Sequence, residues 1–325
     1  MSYHIENEFF EFLRDENELL KLLLFDFSTN QNIVWATDSY FKYGESYGSN
    51  RIITIEALRS KKPLLIQPRV SKSKREQQVR SKNSAEVFTP SWVCNNQINL
   101  IDESWFGYSN VFNVVNENKW TRSLKKVIFP EGKSWKDYIL DIRLEISCGE
   151  APYITSRYDA VSGEFIELKN RIGILDRKIR LINENSDKEY WLKNVISAYK
   201  SVYAYDLQGD NILVARSNLL LTFIENYYDK FNQKPDNKLL HEIATIISWN
   251  VWQMDGIKYV VPDSCKDDIK IDSNLFGEKN EIVYQCPGCI REDYNLHNGV
   301  YCKIMDWDKG KSIRFLDVFS KGGIE

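Results

Sequence analysis

The sequence contains no apolar run that approaches the length of a membrane span, and its first residues, MSYHIENEFFEF, lack a basic segment followed by an apolar one. These absences argue against a membrane partner and a signal peptide, so we expect a cytoplasmic protein. Cysteine is also scarce, with six residues in a chain of 325. In the cytoplasm, so few cysteines argue against a disulfide framework and leave reduced thiols or a metal site.

An excess of positive charge is missing as well, because 43 Lys and Arg residues face 46 Asp and Glu residues. Any contact with nucleic acid therefore has to be local. One basic segment, PRVSKSKREQQVRSK at 68–82, sets six cations against the single acid Glu76. Cations that alternate with small polar residues suit phosphate contacts, although a solvated surface helix is the alternative. The predicted DNA contacts are Arg69, Lys72, Lys74 and Arg75.

Hydrophobic periodicity predicts an α/β protein with a sizeable core. Short apolar strands alternate with longer helical stretches, which is typical of a parallel sheet with crossover helices. The predicted helices cover 8–24, 91–100, 161–199, 208–228 and 237–246. The predicted strands lie within 135–146, at 201–206, within 245–256 and at 258–262, and a hairpin is predicted around 308–310.

The stretch LEISCGEAPYI, at 144–154, predicts a buried strand that ends in a turn of small residues. Ile142, Leu144 and Ile146 alternate as they do in a strand, and Cys148 and Gly149 follow them. Glycine in such a turn lets the backbone approach a ligand closely. An ordinary connection between a strand and a loop has the same pattern, so the turn alone does not decide the function.

A second stretch, AEVFTPSWVCN at 85–95, lies upstream and contains a Phe-Thr-Pro turn. Together the two stretches resemble the adenine amino-methylating DNA methyltransferases of restriction-modification systems, in which such a turn precedes the cofactor strand. The resemblance covers 77–262, and the chain is similar to restriction endonuclease methylation subunits. It implies a Rossmann-like class I S-adenosylmethionine-dependent methyltransferase fold at 85–265, with an N-terminal cap at 1–84 and a small C-terminal module at 266–325.

The resemblance also implies a cofactor site for S-adenosylmethionine. In the family, the Phe-Thr-Pro turn closes over the methionine end, an acid after the second strand accepts the ribose hydroxyls, and an Asp after the third strand accepts the adenine amino group. Asp206 and Asp255 stand at these two places, with helix capping as the alternative role of Asp206. The implied cofactor-binding residues are Phe88, Thr89, Pro90, Glu145, Cys148, Gly149, Asp206 and Asp255.

The catalytic motif of that family, an Asn or Asp with two prolines and an aromatic residue, is missing, since the chain has eight prolines and no Pro-Pro pair. YVVPDSC, at 259–265, stands where the motif is expected. One interpretation is a diverged loop in which Asp263 and the carbonyl of Pro262 accept the target amine. Lost catalysis and completion of the site by a partner are the others. Cys265 is either a nucleophile for methylation of carbon-5 of cytosine or a free thiol.

These patterns predict a DNA modification methyltransferase acting on the adenine amino group, or the methylation subunit of a restriction-modification system. The alternative is a catalytically inactive, methyltransferase-like subunit that binds DNA or a partner. The chain is short for an enzyme that must both recognise a sequence and methylate it. We therefore expect a specificity or endonuclease subunit as a partner.

A Cys-Pro-Gly-Cys pair near the C-terminus predicts a zinc site. Cys-x2-Cys with an internal glycine is a frequent zinc-knuckle geometry, and one imidazole and a third thiolate complete four tetrahedral ligands. Two reduced cysteines in a loop are the alternative. The predicted ligands are Cys286, Cys289, His297 and Cys302.

Overall fold

The computed structural model describes residues 16–61, 65–84, 86–273 and 279–321. Its first part consists of α1 (Asn17–Leu24), the short hairpin of β1 (Phe25–Asp26) and β2 (Gln31–Asn32), α2 (Ile55–Arg59) and α3 (Lys74–Ser84). α1 buries one apolar face, as its helical spacing predicts. Of the helix predicted at 8–24, residues 8–15 lie outside the described residues.

A helical layer follows and leads into the central sheet. α4 (Ser91–Phe106), the hairpin of β3 (Asn113–Asn116) and β4 (Lys119–Arg122), and α5 (Trp135–Leu140) come next along the chain. A capping box starts α5. The Asp137 carboxylate accepts Ser134 N–H, and the Ser134 hydroxyl accepts Lys136 N–H in the first turn of the helix. α4 confirms the helix predicted at 91–100 and extends it.

The central sheet has three parallel strands in the order β5 (Arg143–Ile146), β6 (Val202–Asp206) and β7 (Val251–Gln253). Its presence confirms a mixed α/β protein with strands and helices in alternation. The helices between the strands are α6 (Ile174–Asn185), α7 (Lys188–Lys200), α8 (Gly209–Phe231) and α9 (Asn237–Asn250).

Arg216, in the middle of α8, ties the first part of the chain to the sheet. Its guanidinium is completely buried and donates to the backbone carbonyls of Leu23, Phe25, Ser248 and Val251 at 2.7–3.1 Å. Burial lowers the pKa of Arg216 to about 10. These contacts join α1, β1, α9 and β7 around one side chain.

The face of β5 that points inward differs from the prediction. Ile142, Leu144 and Ile146 are 67%, 38% and 64% exposed, whereas Glu145 is buried. β5 is the edge strand of this sheet, and among the described residues it pairs with β6 only. The alternation predicts the strand correctly, but its apolar set lies on the exposed face because the C-terminal segment packs on β6 and β7 instead.

The fourth strand predicted at 258–262 is wrong. Asp255 accepts the backbone N–H groups of Ile257 and Lys258 through one carboxylate oxygen, which reverses the chain into a turn. Val260 then makes only isolated antiparallel bridges, to Asp255 and Tyr301. Within the described part of the chain, the parallel sheet therefore ends at β7.

The C-terminal part contains β8 (Asp268–Ser273), β9 (Lys279–Tyr284), α10 (Pro287–Arg291), β10 (Lys303–Asp306), β11 (Lys311–Arg314) and α11 (Leu316–Lys321). β10 and β11 form the hairpin predicted around 308–310. Ile304 and Phe315 from this part share a small apolar core with Tyr203 and Trp252 of the central sheet. The division of the chain into three parts stays a prediction. No helix in the ranges given above is long and apolar enough to cross a membrane.

Candidate functional site

The carboxyl ends of the three parallel strands meet at one edge of the sheet. Cys148 N–H donates to the Tyr205 carbonyl at 2.9 Å, and Met254 N–H donates to the Asp206 carbonyl at 3.0 Å, so the ladder continues past the strand ends. Gly149 N–H donates to the Asp206 carboxylate at 2.9 Å. The turn after β5 is therefore fastened to the end of β6, at the edge where α/β sheets bind ligands.

This turn is tightly bent, and an aromatic ring covers it. Ser147, Gly149 and Ala151 all have positive φ, at 49°, 53° and 60°. A Cβ atom added at Gly149 would lie 3.3 Å from Phe88 Cε1. The Phe-Thr-Pro turn and the small-residue turn are thus in contact, and the Arg69 guanidinium lies over the Phe88 ring, 5.0 Å from the ring centre.

Two buried glutamates, one in β5 and one in the turn itself, accept hydrogen bonds from neighbouring segments. Glu145 accepts the N–H groups of Tyr153 and Ile154 at 3.4 and 3.1 Å, and Glu150 accepts Arg69 N–H at 2.5 Å. Glu150 also accepts the Tyr158 hydroxyl at 2.6 Å. Burial raises the pKa of Glu145 to about 8 and that of Glu150 to about 7. Sequence reasoning missed Glu150 because its partners lie on distant segments.

Asp206 and Asp255, the predicted cofactor acids, both bind backbone groups. Asp206 is buried, and its two oxygens accept Gln208 N–H at 2.8 Å and Gly149 N–H. Burial raises the pKa of Asp206. Oδ1, which binds Gln208, also accepts the Asn211 side-chain amide at 3.4 Å, so the second lone pair that remains is on Oδ2, the oxygen that binds Gly149. Asp255 caps the turn after β7 and is partly exposed.

The basic segment at 68–82 divides into an inner and an outer part. Lys72 Nζ and Arg80 Nη2 lie 3.1 and 2.8 Å from the same Asp210 oxygen at the start of α8. Burial would raise the pKa of Asp210, but the two cations outweigh it and hold the pKa below its usual range. Lys74 and Arg75, by contrast, are exposed. Of the predicted DNA contacts, Lys72 therefore neutralises an internal acid, while Lys74 and Arg75 face solvent.

A cavity of about 1060 Å³ lies beside the end of β6. Its wall is formed by a 3-10 helix (Asp38–Tyr43), by α3 and by the residue that follows β6. Five basic residues, two tyrosines and two acids line the cavity together with neutral side chains, and it is large enough for a nucleoside-sized ligand. No motif in the sequence signalled it, because its wall comes from separate segments. The lining includes Tyr40, Tyr43, Lys61, Lys72, Arg75 and Leu207.

The two residues predicted to be catalytic form a turn after β7. Pro262 is buried, whereas Asp263 is exposed and has a φ of 58°. Val261 N–H donates to the Val300 carbonyl at 2.8 Å, and the Ser264 hydroxyl donates back to the Val261 carbonyl at 2.6 Å. This turn leads directly into Cys265.

Cys265 lies in a cluster of three thiols and one imidazole. Its sulfur is 3.4 Å from Cys286 Sγ, 3.7 Å from Cys289 Sγ and 3.6 Å from His297 Nδ1. His297 Nδ1 is in turn 3.6 and 3.7 Å from the Cys286 and Cys289 sulfurs. All four atoms lie within 4.8 Å of one another. These separations are too long for a disulfide, whose sulfurs are about 2.0 Å apart.

The structure corrects the predicted ligand set, because Cys265 takes the place of Cys302. Cys302 is completely buried, and its thiol donates to the Gln253 carbonyl at 3.4 Å. The preceding residue, Tyr301, bridges Val260, and alternation along an extended chain turns the next side chain into the core. Cys302 is close to His297 in the sequence, but its side chain points away from the cluster.

Comparison of the chain with models of known protein families, with curated proteins and with solved structures gives no significant match. The resemblance to DNA methyltransferases therefore rests on the motifs in the sequence.

Proposed function

We propose that this chain is an S-adenosylmethionine-dependent DNA modification methyltransferase, or the methylation subunit of a restriction-modification system, acting on the adenine amino group. The observation that carries the proposal is the contact of Phe88 with Gly149, whose N–H binds Asp206, at the carboxyl edge of adjacent parallel strands. In the proposal, the three strands are part of a Rossmann-like class I methyltransferase sheet.

The residues at this edge suit the cofactor. Bound S-adenosylmethionine would supply an electrophilic methyl group on a sulfonium. Gly149 offers a backbone without a side chain, and Phe88 covers it and excludes water. The remaining lone pair of Asp206 Oδ2 is the acceptor for a ribose hydroxyl, and Asp255 is the acceptor for the adenine amino group. The cavity is lined by Leu207, the residue that follows Asp206, and has the volume for a nucleoside.

The target side of the proposed site is the turn after β7. Asp263, which is exposed, and the carbonyl of Pro262 are the acceptors that orient the amine of a flipped base. The place of Cys265 in the thiol cluster favours transfer to nitrogen, because a nucleophile for carbon-5 has to be available to the base. Lys74 and Arg75 are exposed, and in the proposal they contact DNA phosphates.

One observation favours the second candidate, a subunit whose site is inactive alone or is completed by a partner. The outer edge of β5 is unpaired among the described residues, and Ile142, Leu144 and Ile146 are exposed beside it. An open strand edge with apolar side chains is a template for a strand from another chain. A specificity or endonuclease subunit added there would extend the sheet beside the turn around Gly149. It would supply the acceptor groups that the Pro-Pro motif provides in the family.

Calorimetric titration with S-adenosylmethionine tests the cofactor site. Asp206→Asn places an amide N–H toward a backbone donor and removes the charge, so we expect binding weaker by about one to two orders of magnitude, the equivalent of about 1.5–3 kcal/mol. Asp308→Asn, an exposed site on the C-terminal hairpin, is the matched control. Binding that Asp206→Asn leaves unchanged places the cofactor elsewhere, and no binding by the unaltered chain rejects the methyltransferase.

Methyl incorporation into DNA tests the reaction itself. We expect incorporation by the unaltered chain, alone or with its partner subunit, and loss of it in Asp263→Ala with cofactor binding retained. No covalent adduct should form with DNA containing a fluorinated cytosine, whereas a trapped adduct would indicate carbon-5 chemistry. Cofactor binding without incorporation in either setting would support the inactive subunit.

A further inference from the structure

We infer that Cys265, Cys286, Cys289 and His297 bind a structural zinc ion, at a site separate from the proposed methyl transfer. A tetrahedral zinc ion with Zn–S bonds of about 2.3 Å and Zn–N bonds of about 2.0 Å spaces two thiolates by about 3.8 Å and a thiolate and an imidazole nitrogen by about 3.5 Å. The two S–S distances from Cys265 are 3.4 and 3.7 Å, the three S–N distances are 3.6–3.7 Å, and the remaining pair of sulfurs lies within 4.8 Å. The cluster therefore already has the dimensions of a zinc tetrahedron.

Two glycines allow the ligand-bearing segments to come this close. A Cβ atom at Gly288, inside the Cys-Pro-Gly-Cys pair, would lie 2.6 Å from both the backbone N and Nδ1 of His297. A Cβ atom at Gly299 would lie 2.8 Å from Ser264 Oγ and 2.9 Å from the backbone N of Cys265. Any larger residue at either position would push a ligand away. The two glycines thus let the segments that carry the four ligand atoms approach one another.

Polar groups around the cluster orient the ligands. Asn298 N–H donates to Cys286 Sγ at 3.4 Å, which suits a thiolate that carries negative charge. The backbone of Cys286 is held by Asp267 at 3.1 Å, and His297 N–H donates to the Tyr301 hydroxyl at 2.9 Å. Four protein ligands leave no open position for water, which identifies a structural and not a catalytic centre.

Among the described residues next to the four ligands, few apolar side chains are buried, and a bound metal would join these segments. Cys289 and Ile290 are exposed, and the four ligands come from the turn after β7, from the start of α10 and from the loop before β10. A tetrahedral set of soft thiolates and one imidazole selects zinc among the common cellular metals. Zinc would therefore fix the segment that carries Pro262 and Asp263 relative to α10.

Elemental analysis of the chain purified in reductant without chelator tests the site. We expect about one zinc per chain, retained in Cys302→Ala and lost in Cys265→Ser. Substitution with Co²⁺ should give the absorption bands of tetrahedral thiolate-bound cobalt in the unaltered chain and in Cys302→Ala only. Full metal content in Cys265→Ser, or its loss in a folded Cys302→Ala, would overturn the ligand set.

A second measurement needs no variant. Cys289 is an exposed thiol, so without metal it should react rapidly with an alkylating reagent. With zinc bound we expect slow alkylation of Cys289, which a strong chelator accelerates by at least about tenfold. Rapid alkylation before chelation, an iron-containing protein, or a protein that binds neither zinc nor cobalt after reduction would reject the zinc site.

Discussion

The turn at the sheet edge and the Cys/His cluster hold loops in place by different means. The turn around Gly149 rests on a large apolar core, Gly149 N–H binds Asp206, and the Glu150 carboxylate accepts from Arg69 and Tyr158. The cluster around Cys265 has little apolar burial, and its segments meet at four ligand atoms. Burial with hydrogen bonds spreads stability over many contacts, whereas a metal centre concentrates it in one.

Removal of the metal should give the largest effect and separate the two regions. Structural zinc binds with about 10–16 kcal/mol in small domains, so chelation should abolish hydrogen-exchange protection around Cys265 and at 286–302. β6 and α8 should keep their protection, because Arg216 and the core hold them independently. Equal loss of protection in both regions would show that the cluster supports the sheet.

Arg216→Met should give the next largest effect, on the sheet. The substitution leaves four backbone carbonyls without their donor, and each buried unsatisfied group costs about 1–3 kcal/mol. We expect the free energy of unfolding in urea to fall by about 3 kcal/mol or more. Arg314→Met, which breaks an exposed ion pair with Asp317, should change it by less than about 1 kcal/mol. Similar losses in the two variants would contradict the role of Arg216.

Glu145, the buried glutamate of β5, should make the free energy of unfolding depend on pH. The pKa of Glu145 rises from its usual 4.5 to about 8 on folding, so between these values the folded chain holds a proton that the unfolded chain has lost. This group therefore lowers the free energy of unfolding as pH rises from about 4.5 to about 8, by up to a few kcal/mol.

Unfolding curves across this pH range provide the check. Glu145→Gln should flatten the decline, while the exposed Glu103→Gln should preserve it. A decline of the same slope in Glu145→Gln would assign the effect to other groups, of which Glu150 is the first to examine.

The smallest effect concerns the outer half of the basic segment. If Lys74 and Arg75 contact phosphates, replacing both with Ala should reduce the slope of log affinity for duplex DNA against log salt by up to about 1.8, at roughly 0.9 for each contact. The exposed Lys303 and Lys311 on the C-terminal hairpin provide a control pair. Lys72→Ala should instead lower stability, because it leaves Asp210 with less positive charge. An unchanged slope would show that this segment is a solvated surface helix without phosphate contacts.

Local pattern in the sequence determined much of the framework. β6, α8, α9 and the C-terminal hairpin follow from apolar periodicity, turn residues and helix lengths, which act over a few neighbouring positions. The motifs that carry Phe88 and Gly149 were recognised from the sequence, whereas the contact between the two residues is a tertiary one. Cys286 and Cys289 were identified because Cys-x2-Cys spacing is itself local, and His297 because an imidazole nearby in the chain can complete such a ligand set.

Tertiary structure alone decided the rest, because it depends on residues far apart in the chain. Lys72 pairs with Asp210, which lies 138 positions away in the chain. The apolar face of β5 is exposed because the C-terminal segment packs on β6 and β7 instead. Cys265 joined the cluster in place of Cys302 because the bridge between Val260 and Tyr301 aligns two distant segments. Composition and spacing specify which groups a chain offers, whereas packing and pairing determine which of them meet.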